Sequence, residues 1–323
     1  MPAAPTPDRV RLRSLAKINL DLRVLHKRPD GFHELRTIFQ TISLADTIEV
    51  EYRRGRTKTE LKSNIDIPGN LIVKAADISM RAMHAKGELR IRLTKRIPMG
   101  GGLGGGSSNA AAVLLALPVL LGKRLPLEKL LELATELGSD VPFFLIGGTA
   151  VGLGRGTELY SLPDLPPSPG LLITSDIHSS TVSAYAALNR QPLHEGSAAI
   201  INNFQAAVQS ACSPAPNPQS PFVNDFEMVV FRQHPQLKSI KGKLLKLGAW
   251  RAMMTGSGSA LFGLFPSRQL RDRAASSFRR EFPGSQVYPF SMVSGSRYRA
   301  LWRRQLAISP ENKTWPPQDR YAG

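Results

Sequence analysis

Residues 98–109 (PMGGGLGGGSSN) have the composition of a phosphate-binding loop. From Gly100 to Gly106 the chain holds six glycines and one leucine. Because glycine has no Cβ and readily adopts positive φ angles, backbone N–H groups in such a run can approach an anion closely. The alanine-rich stretch 107–121 predicts a helix behind the loop, and a helix N-terminus favours phosphate. A flexible linker is the alternative, but linkers rarely lie between a well-patterned strand and an apolar helix.

Other glycine-rich loops fit this segment poorly. A Walker A loop needs lysine and then serine or threonine after its last glycine, whereas Gly106 is followed directly by two serines. The spacing of Gly100, Gly102 and Gly105 matches a dinucleotide fingerprint, but that match is nearly automatic in so rich a run, and the nearest acid, Glu128, lies in a predicted helix. A protein kinase would also need His-Arg-Asp and Asp-Phe-Gly motifs, which the sequence lacks.

Hydrophobic patterns predict the elements that hold this loop. Residues 89–93 alternate apolar and basic side chains, which predicts a strand that leads into the loop. Lys17, Asn19 and Asp21 alternate with apolar residues in a strand pair predicted at 9–25, which puts the three polar side chains on the face opposite the core. We also predict strands at 36–44 and 47–52, helices at 70–85 and 126–137, and a hairpin at 147–162.

The proline-dense segment 163–170 (PDLPPSPG) is the best candidate for a domain boundary. Beyond it we predict a strand at 171–174, two strands around a Gly-Ser turn at 251–265 and a basic helix at 269–282. Strands and helices follow in mixed order rather than in regular βαβ alternation, which predicts a two-domain α+β protein. The predicted domains are residues 9–163 and 164–308, with disordered tails at 1–8 and 309–323.

Composition and charge exclude several classes of protein. The chain of 323 residues has one cysteine, Cys212, which excludes an intramolecular disulfide and a Cys-based zinc site. No apolar run reaches the roughly 18 to 20 residues of a membrane-spanning helix, and the N-terminal residues lack the apolar core of a secretory signal, so we expect a cytoplasmic protein with no membrane partner. The formal net charge of +17 fits a nucleic-acid binder or an enzyme with phosphorylated substrates. We favour the enzyme, because no recognition-helix or zinc-finger pattern accompanies the charge.

Five segments, in this order along the chain, resemble motifs of the GHMP kinases, the superfamily of galactokinase, homoserine kinase and the mevalonate kinases. They are residues 16–20 (AKINL) with 28–35, the glycine loop, 137–144 (LGSDVPFF), 224–227 (NDFE) and 254–260 (MTGSGSA), and the likeness extends over about residues 11 to 295. The Gly-Gly-Gly-Ser-Ser-Asn ending of the loop is typical of one family among them, the 4-diphosphocytidyl-2-C-methyl-D-erythritol kinases. The resemblance implies a two-domain GHMP kinase fold, with a ribosomal protein S5 domain 2-like N-terminal domain and a ferredoxin-like C-terminal domain.

The resemblance implies two catalytic residues, Asp140 and Lys17. Asp140 would be the general base, because a kinase that acts on an alcohol needs a carboxylate within reach of the hydroxyl proton. From the residues alone, an aspartate before Val-Pro also fits a helix N-cap. Lys17 would keep the carboxylate ionised and stabilise charge on the transferred phosphoryl group. Without the motif, a solvated strand lysine is the default interpretation.

The resemblance also implies a pocket for cytosine. Phe32 would stack on the base, His33 would hydrogen-bond its edge, and Tyr185 would be the second aromatic ring of a sandwich. The relatives usually have Tyr-His where this chain has Phe-His, so any contact through a phenol hydroxyl is lost. Ordinary core packing is the alternative for these rings, and a plain hairpin turn is the alternative for residues 256–258. The remaining implied substrate contacts are Asn19, Thr181, Gly256, Ser257 and Gly258.

The implied reaction is transfer of the γ-phosphoryl group of ATP to the C2 hydroxyl of a small molecule that carries a cytidine diphosphate. Mg²⁺ is the expected metal, with Ser108 as its protein contact. The expected contacts to the ATP phosphates are Pro98, Gly100, Gly101, Gly102, Leu103, Gly104, Gly105, Gly106, Ser107, Ser108 and Asn109. A GHMP kinase for mevalonate or a sugar and a basic nucleic-acid-binding protein are the alternatives. We expect a monomer or homodimer that does not bind nucleic acid.

Overall fold

The computed structural model describes residues 9–177, 180–190, 197–213, 221–308 and 315–316 of the chain. The predicted tail at 1–8 lies outside the described residues, and so does the predicted tail at 309–323 apart from Trp315 and Pro316. The indole N–H of Trp315 donates a hydrogen bond to the Leu145 carbonyl at 2.8 Å, so this part of the predicted tail packs against the first half of the chain. Within the described ranges, no helix is long and apolar enough to cross a membrane.

The first half of the chain forms a six-stranded sheet. Its strands are β1 (Arg9–Lys27), β2 (His33–Arg53), β3 (Lys58–Ser63), β4 (Glu88–Thr94), β5 (Thr149–Gly154) and β6 (Glu158–Ser161). The order is β3-β4-β2-β5-β6, and β1 pairs antiparallel with β2. The predicted strand pair at 9–25 is one long strand, and so are the two strands predicted at 36–44 and 47–52. Register shifts between Leu15 and Lys17 and between Asn19 and Asp21 let β1 bend without a turn.

Four helices pack against this sheet and each other. They are α1 (Leu71–Ala82), α2 (Gly105–Leu121), α3 (Leu127–Leu137) and the single turn α4 (Phe143–Ile146). Residues 108–120 of α2 are all buried. Because α2 is apolar on every side, it lies inside the domain rather than on its surface. The glycine loop is therefore anchored to the most buried helix of this half.

The second half forms a four-stranded antiparallel sheet with the order β10-β7-β9-β8. Its strands are β7 (Pro169–Thr174), β8 (Arg251–Met254), β9 (Leu261–Leu264) and β10 (Gln286–Ser291). Among the residues that the structure describes between β7 and β8 there are four helices: α5 (Thr181–Leu188), α6 (Ser197–Ala211), α7 (Phe226–Gln233) and α8 (Pro235–Lys246). The helix α9 (Arg268–Glu281) joins β9 to β10, and α10 (Gly295–Gln305) follows. The order of strands and helices is that of a ferredoxin-like domain, as predicted.

The two sheets share a hydrophobic core. Ile18, Leu20 and Ile42 of the first sheet pack with Phe262 and Phe290 of the second. The second half also contacts the polar face of β1, because the Gly256 N–H donates to the Asn19 Oδ1 at 3.1 Å and the Val223 N–H donates to the Asp21 Oδ2 at 3.0 Å. The polar residues on that face are almost completely buried, with exposed fractions of 3% for Lys17, 2% for Asn19 and 0% for Asp21.

Helix α10 packs against the core of the first half, although the predicted boundary assigns it to the second. Tyr298 and Trp302 belong to the same buried cluster as α2. The Tyr298 hydroxyl donates to the Phe144 carbonyl at 2.5 Å, and a Cβ on Gly147 would lie 2.2 Å from the Tyr298 ring. Gly147 thus has to be glycine so that α10 can approach the end of α4. The division at residues 163 and 164 remains a prediction.

Candidate active site

A cleft of about 710 Å³ lies between the two halves and gathers most of the predicted side chains. Strand β1, the loop after it and the start of β2 form one wall. The other walls are the glycine loop, the turns after α3 and β5, helix α5 and the loop after β8. Residues far apart in sequence therefore meet at one place. The predicted residues that line the cleft are Lys17, Asn19, Phe32, His33, Gly102, Ser107, Asp140, Thr181, Tyr185, Gly256 and Ser257.

Lys17 and Asp140 form an ion pair in this cleft. The Lys17 Nζ lies 3.4 Å from the Asp140 Oδ2 and donates a hydrogen bond to the Asn19 Oδ1 at 2.8 Å. The Lys17 side chain is 4% exposed and that of Asp140 is 35% exposed, so the ammonium is enclosed while the carboxylate faces the cleft. The alternative of a solvated strand lysine is wrong, because the side chain is almost completely buried and its Nζ lies over the Phe39 ring, 5.3 Å from the centroid.

Asp140 lies in the turn between α3 and α4. Helix α3 ends at Leu137, and α4 begins only at Phe143, after Pro142. Among the described residues, no side chain caps the N-terminus of α4 through a hydrogen bond. The carboxylate is therefore not used as an N-cap, and in this structure its charged partner is Lys17.

Asn19 joins the catalytic strand to the loop after β8. Its Oδ1 accepts from the Lys17 ammonium and from the Gly256 N–H, the latter at 3.1 Å. Its Nδ2 donates to the Thr37 hydroxyl at 2.8 Å, and its backbone N–H donates to the Thr255 hydroxyl at 3.0 Å. Asn19 lines the cleft, but most of its hydrogen-bonding capacity orients Lys17 and the Thr255–Gly256 backbone.

The glycine loop depends on left-handed backbone conformations. Gly100 and Gly102 both have a φ of 72°, and Gly104 has a φ of 65°. Packing also restricts position 104, because a Cβ on Gly104 would lie 2.9 Å from the Phe144 ring. These positions require glycine for conformation, and Gly104 also requires it for packing.

Helix α2 begins at Gly105 and presents its first turn to the loop. The Ser108 N–H already donates to the Gly104 carbonyl at 2.8 Å. The N–H groups of Gly105, Gly106 and Ser107 precede it and have no partner within the helix, as in every first turn. Of the predicted loop residues, Gly102 and Ser107 line the cleft, so an anion bound there would meet free donors and the positive end of the helix dipole.

Other residues of the predicted loop attach it to β1 through hydrogen bonds. The Ser108 hydroxyl, in a residue that is 2% exposed, donates to the Leu15 carbonyl at 2.7 Å. The Asn109 Oδ1 accepts from the Ser14 hydroxyl at 2.5 Å. The Leu103 side chain lies in the core between the sheets, and its carbonyl accepts from the Lys17 N–H at 3.0 Å. These contacts fasten the loop to β1, and no local sequence signal indicates partners more than 80 residues away.

The donors near the loop fit a magnesium ion that is held mainly by phosphates. In the described part of the chain, no group of three or more His, Cys, Asp or Glu side chains could hold a metal ion. Mg²⁺ usually keeps several waters and binds one or two protein oxygens together with substrate phosphates. The Asp140 carboxylate and the Ser107 hydroxyl line the cleft. The Ser108 hydroxyl donates to the Leu15 carbonyl and keeps its oxygen lone pairs, which could coordinate a metal.

The loop after β8 is held by Asn224 and Asp225, a residue pair to which the sequence analysis assigns no role. Asn224 is 4% exposed, and its Nδ2 donates to the carbonyls of Met254 and Gly256 at 2.8 and 2.9 Å. The Asp225 Oδ2 accepts from the Val24 N–H at 3.0 Å, which ties the same segment to β1. The motif at 224–227 pointed to these residues, but only the fold shows that they position the cleft walls.

Two aromatic rings of the predicted base pocket stack on each other. The ring centroids of His33 and Tyr185 are 4.4 Å apart with an interplanar angle of 21°, so in this structure no base fits between them. Tyr185 also packs edge-on against Phe226. Burial, with a smaller contribution from the Asp140 charge, raises the pKa of Tyr185 to about 12. Burial, helped by the positive charges of Lys27 and His26, lowers the pKa of His33 and favours the neutral imidazole.

Phe32 and Thr181 also border the cleft, at its open edge. Phe32 is 47% exposed, which excludes core packing, and the Arg155 guanidinium lies over its ring at 3.5 Å from the centroid. The hydroxyls of Thr181 and Ser257 are hydrogen-bonded at 2.8 Å, which links α5 to the loop after β8. Gly258, with a φ of 98°, lies beyond the residues that line the cleft.

Comparison with known proteins finds relatives that match nearly the whole chain. Residues 70–148 match the GHMP kinases N terminal domain, and residues 202–284 match the GHMP kinases C terminal family. A 4-diphosphocytidyl-2-C-methyl-D-erythritol kinase of Solibacter usitatus is 54% identical over 312 residues, which are 96% of this chain and 97% of that protein.

Solved structures of GHMP kinases also resemble this chain. The crystal structure of a 4-(cytidine 5'-diphospho)-2C-methyl-D-erythritol kinase is 34% identical, with a TM-score of 0.72 over 87% of this chain and 98% of that one. Homoserine kinase from Cytophaga hutchinsonii, at 19% identity and a TM-score of 0.73 over 91% and 98% of the two chains, shares the fold. The predicted two-domain α+β fold is confirmed, and the protein is an ATP-dependent small-molecule kinase. The chain therefore belongs to the 4-diphosphocytidyl-2-C-methyl-D-erythritol kinase family of the GHMP kinases.

Proposed function

We propose that this kinase transfers the γ-phosphoryl group of ATP to the C2 hydroxyl of 4-diphosphocytidyl-2-C-methyl-D-erythritol, a step of the non-mevalonate isoprenoid pathway. The observation that carries the proposal is the Lys17–Asp140 pair, 3.4 Å apart, in a cleft that also contains the glycine loop at Gly102 and the aromatic residues His33 and Tyr185. The names of the relatives support the acceptor.

In the proposed mechanism, Asp140 accepts the proton of the attacking hydroxyl. Its carboxylate is partly exposed to the cleft and is not used by a helix cap, so it is available as a base. The Lys17 ammonium, held by Asn19, stabilises the negative charge of the transferred phosphoryl group. Both groups are in position before substrate arrives, and positioning is most of what a kinase supplies.

The free N–H groups of the first turn of α2 would bind the ATP phosphates, and the hydroxyl of Ser107 would add a donor. Bound Mg²⁺ would supply positive charge that neutralises the phosphates. We propose the hydroxyl oxygens of Ser107 and Ser108 as its protein contacts. The location in the cytoplasm and a monomeric or homodimeric state remain predictions.

The aromatic end of the cleft favours a nucleotide-linked acceptor over mevalonate or a sugar. His33 and Tyr185 offer a stacked pair of rings, which a small aliphatic alcohol does not need. Because these rings contact each other, the base would stack on the outer face of the pair or separate the two rings.

The test is to incubate the protein with ATP, Mg²⁺ and 4-diphosphocytidyl-2-C-methyl-D-erythritol and to measure ADP release, with mevalonate and galactose as control acceptors. We expect turnover with the cytidine compound alone. Turnover with a control acceptor alone would replace this proposal with another GHMP kinase activity. A salt-sensitive mobility shift with RNA or DNA, without turnover of any acceptor, would favour the nucleic-acid-binding alternative.

A further inference from the structure

Thr37 of β2 is a buried residue at the cleft to which the proposed mechanism assigns no role. It is 1% exposed and lies opposite Leu22 of β1 in the register of the sheet. It lines the cleft together with Lys17 and Asn19. A hydroxyl group that is buried so deeply needs hydrogen-bond partners, and both partners of the Thr37 hydroxyl lie on β1.

The two hydrogen bonds of Thr37 have a fixed direction. The hydroxyl donates its proton to the Asp21 carbonyl at 2.7 Å, so its oxygen serves as the acceptor for the Asn19 Nδ2 at 2.8 Å. An amide side chain has its donor at one end and its acceptor at the other. Thr37 therefore turns the Nδ2 of Asn19 towards β2 and leaves the Oδ1 for the opposite side.

The groups at the other end of the Asn19 amide require the same orientation. The Lys17 ammonium and the Gly256 N–H can only donate, and both donate to the Asn19 Oδ1, at 2.8 and 3.1 Å. If the amide turned over, its NH2 group would face these two donors, and both would lose a buried acceptor. The hydrogen bond to Thr37 thus holds the amide in the orientation that Lys17 needs.

Asn19 in turn fixes the position of the Lys17 ammonium. The Nζ lies between the Asn19 Oδ1 at 2.8 Å and the Asp140 Oδ2 at 3.4 Å. Without the amide oxygen, attraction to the Asp140 carboxylate would draw the ammonium away from this position. A displacement of about 1 Å in a group at the reacting atoms can lower a rate about 100-fold.

We propose that Thr37 is a positioning residue that orients the Asn19 amide and, through it, holds the Lys17 ammonium in place for phosphoryl transfer. This inference rests on the proposed function, because it takes Lys17 to be the group that stabilises the transferred phosphoryl group. Thr37 acts on the rate through Asn19 and needs no contact with either substrate. Its hydroxyl therefore contributes to kcat rather than to KM.

The test compares Thr37→Val with Thr37→Ser by steady-state kinetics with ATP, Mg²⁺ and the cytidine compound. Valine has nearly the shape of threonine but no hydroxyl group, whereas serine keeps the hydroxyl. We expect Thr37→Val to lower kcat at least about tenfold, with both KM values changed less than about twofold. Thr37→Ser should recover most of kcat.

Thr149→Val is the matched control. Thr149 is 2% exposed, and its hydroxyl donates to the Gln40 Oε1 at 2.7 Å, so the substitution also removes a buried hydrogen bond between a threonine and an amide side chain. Thr149 is not among the residues that line the cleft. We expect Thr149→Val to keep the kcat of wild type even if its Tm falls as far as that of Thr37→Val.

A double-mutant cycle tests whether Thr37 acts through Asn19. In an Asn19→Ala background, Thr37→Val should lower kcat by less than about a further twofold, because the amide that Thr37 orients is absent. Losses that multiply would show that Thr37 acts independently of Asn19 and would overturn the proposal.

The remaining outcomes are equally decisive. A wild-type kcat in Thr37→Val would overturn the role of Thr37, and a raised acceptor KM with unchanged kcat would make it a substrate contact instead. If Thr37→Val does not fold, Thr37→Ala is compared with Thr37→Ser, because these two variants differ only in the hydroxyl group, and only the alanine variant should lose kcat. If wild type turns over another acceptor and not the cytidine compound, the proposed function fails, but the same variants measured with that acceptor still decide the role of Thr37.

Discussion

Gly102 and Gly256, from the two halves of the chain, lie directly against each other. A Cβ on Gly256 would be 2.7 Å from the Gly102 Cα, and a Cβ on Gly102 would be 2.3 Å from the Thr255 carbonyl oxygen. No side chain fits between the two loops, and both glycines have positive φ angles. The loop after β8 is therefore packed directly against the glycine loop.

We expect Gly256→Ala to lower kcat/KM by at least about tenfold, because a left-handed alanine is strained and its methyl group would push the two loops apart. Steady-state kinetics for both substrates measure the effect. Gly242→Ala, in the middle of α8 where an added Cβ meets nothing within 4 Å, is the control and should keep wild-type kinetics. Wild-type kinetics in Gly256→Ala would refute the close contact.

We expect Asp140→Asn to fold normally and to lose a factor of about 100 to 10,000 in kcat, because an amide cannot accept the hydroxyl proton. The KM for ATP should change little. Turnover and thermal unfolding of the variant are compared with those of Asp77→Asn, which alters an exposed carboxylate on α1 that bonds Thr59. Near-normal turnover in Asp140→Asn would remove Asp140 from the catalytic mechanism.

We expect Asn224→Ala to destabilise the fold by about 2 kcal/mol, because the carbonyls of Met254 and Gly256 lose their buried donor. Asn224→Asp keeps an acceptor for the Phe226 N–H but also lacks the donor, so it should be destabilised as well. Urea unfolding gives the stabilities, and kinetics should show a lower kcat in both variants. Unchanged stability in both would mean that the loop holds its shape without Asn224.

The buried Asp21 carboxyl predicts that the free energy of unfolding depends on pH. Burial raises its pKa to about 6 from 3.8, although the hydrogen bond from Arg23 opposes the shift. The native state thus binds this proton more tightly than the unfolded state. Its contribution to stability is complete below about pH 4, is lost as the pH rises towards 6, and is constant above that.

The measurement is urea unfolding of wild type and Asp21→Asn at several pH values from about 4 to about 7. We expect the stability of wild type relative to the variant to fall by about 2 to 3 kcal/mol across this range. A difference that rises with pH would show that the Arg23 pairing outweighs burial.

The sequence predicted the parts of the site that depend on local composition. The glycine run, the strand before it and the apolar helix after it are continuous in the chain, so their patterns are enough to locate a phosphate loop. The pairing of Lys17 with Asp140 came only from the family resemblance, because 123 residues (140 − 17) separate the two side chains. Hydrophobic patterning carries no information about which distant polar groups meet.

The missed features have a common physical cause. Lys17, Asn19 and Asp21 alternate with apolar residues, which in an isolated sheet would expose them to solvent. Residues of both halves bury that face, Phe39 and Asp140 at Lys17 and Gly256 and Val223 at Asn19 and Asp21. The period of two therefore correctly gives the two faces of β1 but not their environments. Likewise, the sequence pattern does not show that the Ser108 hydroxyl, in the first turn of α2, donates to the Leu15 carbonyl from β1.

The packing of α10 on the first half has a consequence for biosynthesis. Tyr298 fills space beside Gly147, yet the ribosome adds it about 150 residues later. At about 5 to 20 residues per second, this delay is on the order of ten seconds. During that time the apolar surface around α2 and α4 stays incomplete on the nascent chain. The glycine-loop half therefore cannot complete its core until α10 emerges, and co-translational folding of this kinase is not a simple sequence of one domain after the other.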